Sequence, residues 1–370
     1  MKIVVTGSEG FIGRNLITHF REIKHVEILE FRRRDTINDL ELLINQADCI
    51  VHLAGVNRVE NPEEFKEVNT DLTNKICNFI LNRNKKIPLL YASSKQAVEN
   101  SPYGLSKLKA EKNLAEFSKI SNCPVAIYRL PGVFGKWCKP NYNSVVATFC
   151  NNIAKDIPID IHDPNTLLNL VYIDDVVAEI VDKINNPAEG CTMEEVKPEY
   201  KISVGDLAKK INEYRDMRAD LGIMKVGEGF DRALYSTYMS YLQPKEFAYE
   251  IHSHNDERGR FAEVLKTQDS GQFSFFSALP GVTRGGHYHH TKTEKFLVIR
   301  GQALFKFKNL LTEEYFELLT DDKTLKVVDT IPGWTHNITN VGEEEMLVML
   351  WANEVFDQKN PDTYASEVFK

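Results

Sequence analysis

Near residue 244 the hydrophobic rhythm of the chain changes, and that change limits the architecture more than any single motif does. Before it, short β-branched runs (Lys2–Val5, Val26–Phe31, Cys49–Leu53, Leu89–Tyr91, Val125–Arg129) alternate with longer stretches such as Asn69–Asn82 and Gly104–Ile120, whose apolar residues recur at helical spacing. That order predicts a parallel sheet covered by helices on both faces. From Phe247 onward the pattern is short strands and turns: Ala262–Thr267, Phe273–Ser277, Lys295–Ile299, Ala303–Phe307, Leu325–Asp329 and Met346–Trp351. Many short strands separated by Gly and Pro predict an all-β sandwich or barrel. The expected fold class is therefore α/β plus all-β. Its two domains are placed at 1–243 and 247–370, with the boundary at Leu242-Gln243-Pro244. A chain of 370 residues is long enough for two cores.

Charge and cysteine usage exclude several classes. The formal net charge of −8 argues against a nucleic-acid partner or an anionic membrane surface. A phosphate can still be held locally by a helix amino terminus. The six cysteines are scattered through the first 191 residues with no Cys-x-x-Cys, which is the usage of reduced thiols rather than of a disulfide frame. No apolar run approaches the roughly 20 residues needed to span a bilayer, and the opening Met1–Gly7 is too short for a signal peptide. The expected location is cytoplasmic.

Two sets of residues carry chemistry. The first begins at Thr6-Gly7-Ser8-Glu9-Gly10-Phe11-Ile12-Gly13, which follows a strand directly and opens a helix. Such a turn lets backbone amides approach a pyrophosphate at the positive end of the helix. Gly7, Gly10, Phe11, Ile12 and Gly13 are thus candidate cofactor contacts. The second strand ends in Arg32-Arg33-Arg34, and arginines there suit a 2′-phosphate, so NADPH is favoured; Glu30 keeps NAD as the alternative. Tyr103 and Lys107 lie one helical turn apart and share a face. A neighbouring ammonium is expected to lower the phenol's pKa, so that Tyr103 passes a proton to a carbonyl oxygen that Ser94 hydrogen-bonds.

The second set is Gly281-x5-His287-x-His289-x4-Glu294-x6-Gly301, completed by His336 after Pro332-Gly333. His287 and His289, two apart on a strand, point into one face. Three imidazoles and a carboxylate suit Zn²⁺, with Fe²⁺, Mn²⁺ or Ni²⁺ also compatible. His290 should face outward unless a bulge turns it in.

The first half resembles the extended short-chain dehydrogenases/reductases that act on nucleotide sugars. The resemblance rests on His52-Leu53-Ala54-Gly55, Val68-Asn69-Thr70, Tyr91-Ala92-Ser93-Ser94, Ser101-Pro102-Tyr103-Gly104-Leu105-Ser106-Lys107, Arg129–Gly135 and Val171–Val176, in that order. It implies a Rossmann-type doubly wound sheet, catalysis by Ser94, Tyr103 and Lys107, and cofactor contacts from Leu53, Ala54, Gly55 and Asn69. One departure stands out: Ser94 and Tyr103 are only nine positions apart where relatives carry a longer insert. The choice between Ser93 and Ser94 stays open at this point, with Ser94 preferred as the last of its run.

The second half resembles the cupins and, within them, the nucleotide-linked 4-keto-6-deoxysugar 3,5-epimerases, through Asp256–Glu263 and Thr283-Arg284-Gly285-Gly286-His287-Tyr288. In that group the matching histidine is the base beside the ketone and the enzymes are generally metal-free, so His287 is claimed both as metal ligand and as catalytic base. The fused order resembles bifunctional enzymes of capsular polysaccharide synthesis. It implies C3 epimerisation of a UDP-linked 4-keto-6-deoxy amino sugar, UDP-2-acetamido-2,6-dideoxy-4-hexulose. NADPH reduction at C4 to UDP-2-acetamido-2,6-dideoxy-L-talose would follow, in a homodimer. Epimerisation must come first, because reduction removes the ketone that acidifies C3. The rival readings are a single-function reductase whose cupin serves as a dimerisation or sensor module, and a regulatory NADP-binding protein with a dead site.

Overall fold

Alternation of buried β-branched runs with amphipathic helices builds the first half strand by strand. In chain order its elements are β1 (Lys2–Thr6), α1 (Phe11–Phe20), β2 (Glu27–Phe31), α2 (Ile37–Gln46), β3 (Cys49–His52), α3 (Leu72–Leu81), β4 (Leu89–Ser94), α4 (Pro102–Ser121), β5 (Val125–Leu130), β6 (Gly132–Phe134), α5 (Val145–Ala154), β7 (Leu167–Tyr172), α6 (Ile173–Asn185) and β8 (Cys191–Glu194). The computed structural model describes residues 1–83, 85–251, 253–256, 259–262, 265–267, 271–354 and 359–369. The chain folds as two compact units, Met1–Ser144 with Leu168–Lys201, and Val145–Leu167 with Ile202–Lys370.

The first unit holds a six-stranded parallel sheet in the order β2-β1-β3-β4-β5-β8. Because side chains alternate across a strand, Val4, Ile50, Leu89 and Val125 point to one face. There they meet Leu40 and Ile44 of α2, Ile76 and Ile80 of α3, and Ala110, Leu114 and Phe117 of α4 in one buried cluster. α1 packs against α6, and α6 receives the Tyr128 hydroxyl through the Glu179 carbonyl at 3.4 Å. The expected doubly wound sheet is therefore present. A seven-residue π-helical stretch, Phe65–Asp71, runs directly into α3 and carries Asn69.

The second unit continues with β9 (Tyr200–Ser203), α7 (Val204–Asp220), β10 (Gly222–Ile223), α8 (Gly229–Met239), β11 (Ala248–Glu250), β12 (Ser253–Asp256), β13 (Gly259–Ala262), β14 (Lys266–Thr267), β15 (Gln272–Ala278), β16 (Thr283–Tyr288), β17 (Glu294–Arg300), β18 (Gln302–Asn309), β19 (Tyr315–Asp321), β20 (Lys326–Thr330), β21 (Trp334–Asn340), β22 (Met346–Ala352) and β23 (Tyr364–Ala365). Two five-stranded sheets, β11-β20-β17-β22-β15 and β19-β18-β21-β16-β23, form the expected all-β half. Rings join them: Phe296 of one sheet lies 5.7 Å from Phe305 of the other, and Phe247 lies 4.9 Å from Trp334, centroid to centroid. The anticipated strand Ala262–Thr267 is divided between β13 and β14, and its residues 263–264 lie outside the described residues, as do Glu257, Arg258 and Glu263 of the Asp256–Glu263 signature.

α7 and α8 belong to this second unit rather than to the parallel sheet. Buried charge fixes α7: Asp329 takes Lys295 Nζ at 2.7 Å and Arg218 Nη2 at 3.2 Å, so three charges share one enclosed network. A buried carboxylate of this kind is tolerable only when paired.

Candidate active sites

In the first unit the strand-to-helix turn is built for close backbone approach. Gly7 has φ +67°, and a Cβ there would stand 2.7 Å from the Ala54 amide nitrogen; a Cβ on Gly13 would stand 2.4 Å from the Gly7 carbonyl oxygen. No side chain fits at either place, so the turn lies bare at the amino terminus of α1, where the helix dipole favours an anion. Phe11 and Ile12 are half-buried in the first turn of that helix, and Gly10 caps it. Beneath the turn, His52 is pinned between Thr6 Oγ1 (2.7 Å) and Thr73 Oγ1 (2.9 Å), and Thr6 Oγ1 also takes the Ala54 amide at 3.1 Å. Burial drives His52 down to about 3, which keeps it a neutral strut. The segment Leu53-Ala54-Gly55 is thereby set beside Gly7. This cradle suits a dinucleotide pyrophosphate.

Two candidate contacts are differently employed than the motif suggests. Asn69 spends its amide on Val56, taking its N–H and giving to its carbonyl, each at 2.9 Å, and gives a further bond to Ser106 Oγ at 3.0 Å. Its side chain therefore shapes the loop after Gly55. At the end of β2, Arg32 pairs with Glu30 (Nη2 to Oε2, 3.3 Å), whereas Arg33 and Arg34 are exposed.

The catalytic candidates converge at the carboxy-terminal end of β4. Lys107 is buried on α4, and its Nζ donates to the Ala92 carbonyl at 2.9 Å and lies 4.8 Å from the centre of the Tyr91 ring. Ser93 and Ser94 point oppositely, as strand alternation requires. Ser93 is buried and gives its proton to Glu111 at 2.5 Å. Ser94 is half-buried and hydrogen-bonds the Tyr103 phenol. The short link to Tyr103 is a single 3₁₀ turn, Lys95–Val98, followed by Ser101, whose Oγ caps α4 by accepting from the Gly104 amide at 3.0 Å.

One expectation is corrected. Tyr103 was expected to have a lowered pKa; instead burial raises it, with the hydrogen bond from Ser94 opposing. Spacing alone could not reveal this, because the Lys107 ammonium is directed at Ala92. The phenol keeps its proton at neutral pH, as a proton donor must. Burial lowers Lys107 to about 8, and the Glu111 carboxylate opposes that shift.

Glu111 was not singled out from sequence, although it lies one turn beyond Lys107. Besides Ser93, it takes Arg129 Nη2 at 2.6 Å and Nε at 3.0 Å.

In the second unit four residues meet between the sheets: His287 at the end of β16, His289 just past it, Glu294 opening β17 and His336 on β21. Their ligand atoms all lie within 4.8 Å of one another. A bulge between Gly285 and His287 shifts the register at this end of β16. His289 Nε2 stands 3.1 Å from Glu294 Oε2, and His336 Nε2 stands 3.5 Å from the same oxygen. Neither ring nitrogen of the buried His336 has a hydrogen-bond partner among the described residues. Burial and the neighbouring imidazoles push His287 down to about 3, and burial lowers His336 as well. Burial opposes ionisation of Glu294, yet His289 and His336 hold its carboxyl well below the usual range. Three imidazoles turned towards one carboxylate are the donor set a divalent cation needs. The fit is good.

His287 is half-buried and the other three are enclosed, so it stands at the open side of the set. His290 lies outside the four, as alternation requires, but it is not exposed: Tyr364 covers it at a ring distance of 5.0 Å. Two nearby groups escaped the sequence reading, Lys292, whose Nζ is 3.1 Å from Glu294 Oε1, and Asp362.

Comparison with known proteins agrees with this architecture. Residues 3–197 match the NAD dependent epimerase/dehydratase family, and residues 254–364 match the polysaccharide biosynthesis C-terminal domain. The chain belongs to the NAD dependent epimerase/dehydratase family. It is 53% identical over 368 residues to the Pseudomonas aeruginosa protein named UDP-2-acetamido-2,6-beta-L-arabino-hexul-4-ose reductase, covering 100% of this chain and 99% of that one. Among solved structures, the capsular polysaccharide assembling protein CapF of Staphylococcus aureus matches at 41% identity and a TM-score of 0.69, with both chains covered completely. The whole chain is thus CapF-like. A Vibrio cholerae UDP-glucose 4-epimerase is 25% identical over 248 residues, covering 56% of this chain and 74% of that one. Among the described residues, no helix is long and apolar enough to cross a membrane.

Proposed function

We propose that the chain is a bifunctional nucleotide-sugar enzyme of capsular polysaccharide synthesis. Its C-terminal domain (247–370) epimerises C3 of a UDP-2-acetamido-2,6-dideoxy-4-hexulose. Its N-terminal nucleotide-binding half then reduces C4 with NADPH, giving UDP-2-acetamido-2,6-dideoxy-L-talose. The observation that carries the reductase half is the end-to-end match to a reductase of that substrate class. The convergence of Ser94, Tyr103 and Lys107 beside the glycine turn supports it.

NADPH, when bound, supplies the hydride. Gly7, Gly10 and Gly13 leave room for its pyrophosphate at the start of α1, and Arg33 and Arg34 attract a 2′-phosphate. Ser94 hydrogen-bonds the C4 oxygen, and Tyr103 passes its proton to that oxygen. The Lys107 ammonium, held by the Ala92 carbonyl, would contact the bound cofactor and lend positive charge to the site as the C4 oxygen is reduced.

In the C-terminal domain, His287, His289, Glu294 and His336 would hold one divalent ion, assigned as Zn²⁺. Such an ion supplies positive charge for an enolate oxygen. His287, at the open side, is the residue of the four placed to face a substrate. The likeness to 3,5-epimerases in Thr283–Tyr288 supports removal of the C3 proton here.

The test is NMR of products formed from the UDP-4-ketosugar in deuterated water, with and without NADPH. Deuterium at C3 without NADPH, and a C4-reduced, C3-inverted product with it, are expected. Reduction without inversion would leave a single-function reductase.

A further inference from the structure

The loop that carries two of the four clustered ligands is held by one carboxylate from far along the chain. Residues 290–293 link His289 to Glu294, and three successive amides of this link converge on Asp362. His290 N reaches Oδ1 at 2.9 Å, while Thr291 N and Lys292 N each reach Oδ2 at 2.7 Å; Thr291 Oγ1 also donates to Oδ2 at 3.0 Å. Consecutive N–H groups folded around an anion form a nest, and without that anion the loop loses the partner that fixes its shape. The main-chain carbonyl of Asp362 in turn accepts from His289 Nδ1. That bond keeps a proton on Nδ1 and fixes the ring so that Nε2, 3.1 Å from Glu294 Oε2, is the nitrogen facing the centre of the cluster.

The segment bearing Asp362 is stitched to the other ligand-bearing strands. Ala365 and Tyr364 of β23 pair with His287 and Tyr288 of β16. The Ser366 amide donates to the Gly286 carbonyl at 2.9 Å, and Thr335, next to His336, donates to Ser366 Oγ at 2.8 Å. One short strap thus touches the strand or loop of all four residues.

We infer that Asp362 is a positioning residue for the metal centre: it presets the 289–294 loop and the His289 tautomer so that the four donors converge before an ion arrives. This rests on the proposal that the four residues bind a metal. Groups that orient ligands in this way typically contribute about 10- to 100-fold in metal affinity.

The test uses full-length protein, stripped by chelation and titrated with Zn²⁺ against a chromophoric competitor. Circular dichroism and thermal melts of the same samples serve as the control for folding of the half that carries Asp362, and NADPH binding as the control for the other half. Wild type should take one Zn²⁺ per chain. Asp362→Ala should bind Zn²⁺ about 10- to 100-fold more weakly and release it faster to excess EDTA, with NADPH binding unchanged. Asp362→Asn, which keeps one oxygen acceptor and nearly the same shape, should fall between them, and it carries the test if the alanine variant does not fold. Wild-type Zn²⁺ affinity in a folded Asp362→Asn and Asp362→Ala pair would overturn the inference while leaving the metal site standing. A wild-type protein that takes up no Zn²⁺ would instead overturn the metal reading itself, and this inference with it.

Discussion

The Ser93 hydroxyl donates to the Glu111 carboxylate at 2.5 Å, on the side of β4 away from Tyr103. Adjacent serines on one strand therefore do different jobs, and paired substitutions should separate them. Ser94→Ala removes a donor to the reacting oxygen and should slow C4 reduction about 10²- to 10³-fold. Ser93→Ala withdraws one partner from a buried carboxylate and should cost about 1–3 kcal/mol of stability with reduction nearly intact. Steady-state NADPH oxidation beside denaturant melts checks both; a larger rate loss for Ser93→Ala would reverse the assignment.

Cofactor choice is expected to reside in Arg33 and Arg34, which are exposed at the end of β2, because Arg32 is occupied by Glu30. Replacing both with alanine should weaken NADPH binding about ten- to a hundredfold per lost charged contact and leave NADH binding nearly unchanged. Fluorescence titration with the two nucleotides decides it, since equal losses would remove these side chains from the 2′-phosphate.

The pH dependence follows from two buried groups. Lys107 titrates at about 8, and burial keeps the Tyr103 proton in place past that point. Single-turnover reduction should hold steady from pH 6 to 7.5 and fall as Lys107 loses its charge above about pH 8. Stability should not fall with it. The folded pKa lies below the unfolded value of 10.5, so between about 8 and 10.5 the unfolded chain binds more protons and this group's contribution rises with pH. Rates and Tm measured on the same buffers test the sign; a rate that fell only together with Tm would contradict it.

The strands that form the cores were legible because each is a short run of buried β-branched residues, as in Ile3-Val4-Val5 or Val327-Val328. β16 was legible only through its histidines, since Thr-Arg-Gly-Gly has no strand rhythm and two of its glycines sit at φ +92° and +77°. Spacing brought His287, His289, Glu294 and His336 together on paper, and the fold brings them together in space. What spacing could not supply was burial: the raised Tyr103 phenol, the engaged Asn69 amide and the covered His290 all depend on which neighbours close over them. Asp362 left no signal, because its partners are backbone amides seventy residues away, and any loop can offer those.

Metal analysis resolves the two claims on His287. If it is a ligand, as its place in the set of four supports, His287→Gln should lose both metal and C3 exchange. If it is a free base, the variant should keep its metal and lose exchange, since glutamine cannot take a proton. Glu294→Gln should lower metal affinity on either account. Full metal in both variants would show that His287 and Glu294 do not hold it, and would leave His287 as the base of an epimerisation that needs no metal at this cluster.

The division of labour between the two halves is tested most directly by Tyr103→Phe in deuterated water. Proton donation to the C4 oxygen needs the phenol, whereas exchange at C3 is assigned to the C-terminal cluster. The folded variant should oxidise no NADPH yet incorporate deuterium at C3 of the ketosugar at the wild-type rate. Loss of exchange together with reduction would contradict the assignment of the two steps to separate sites.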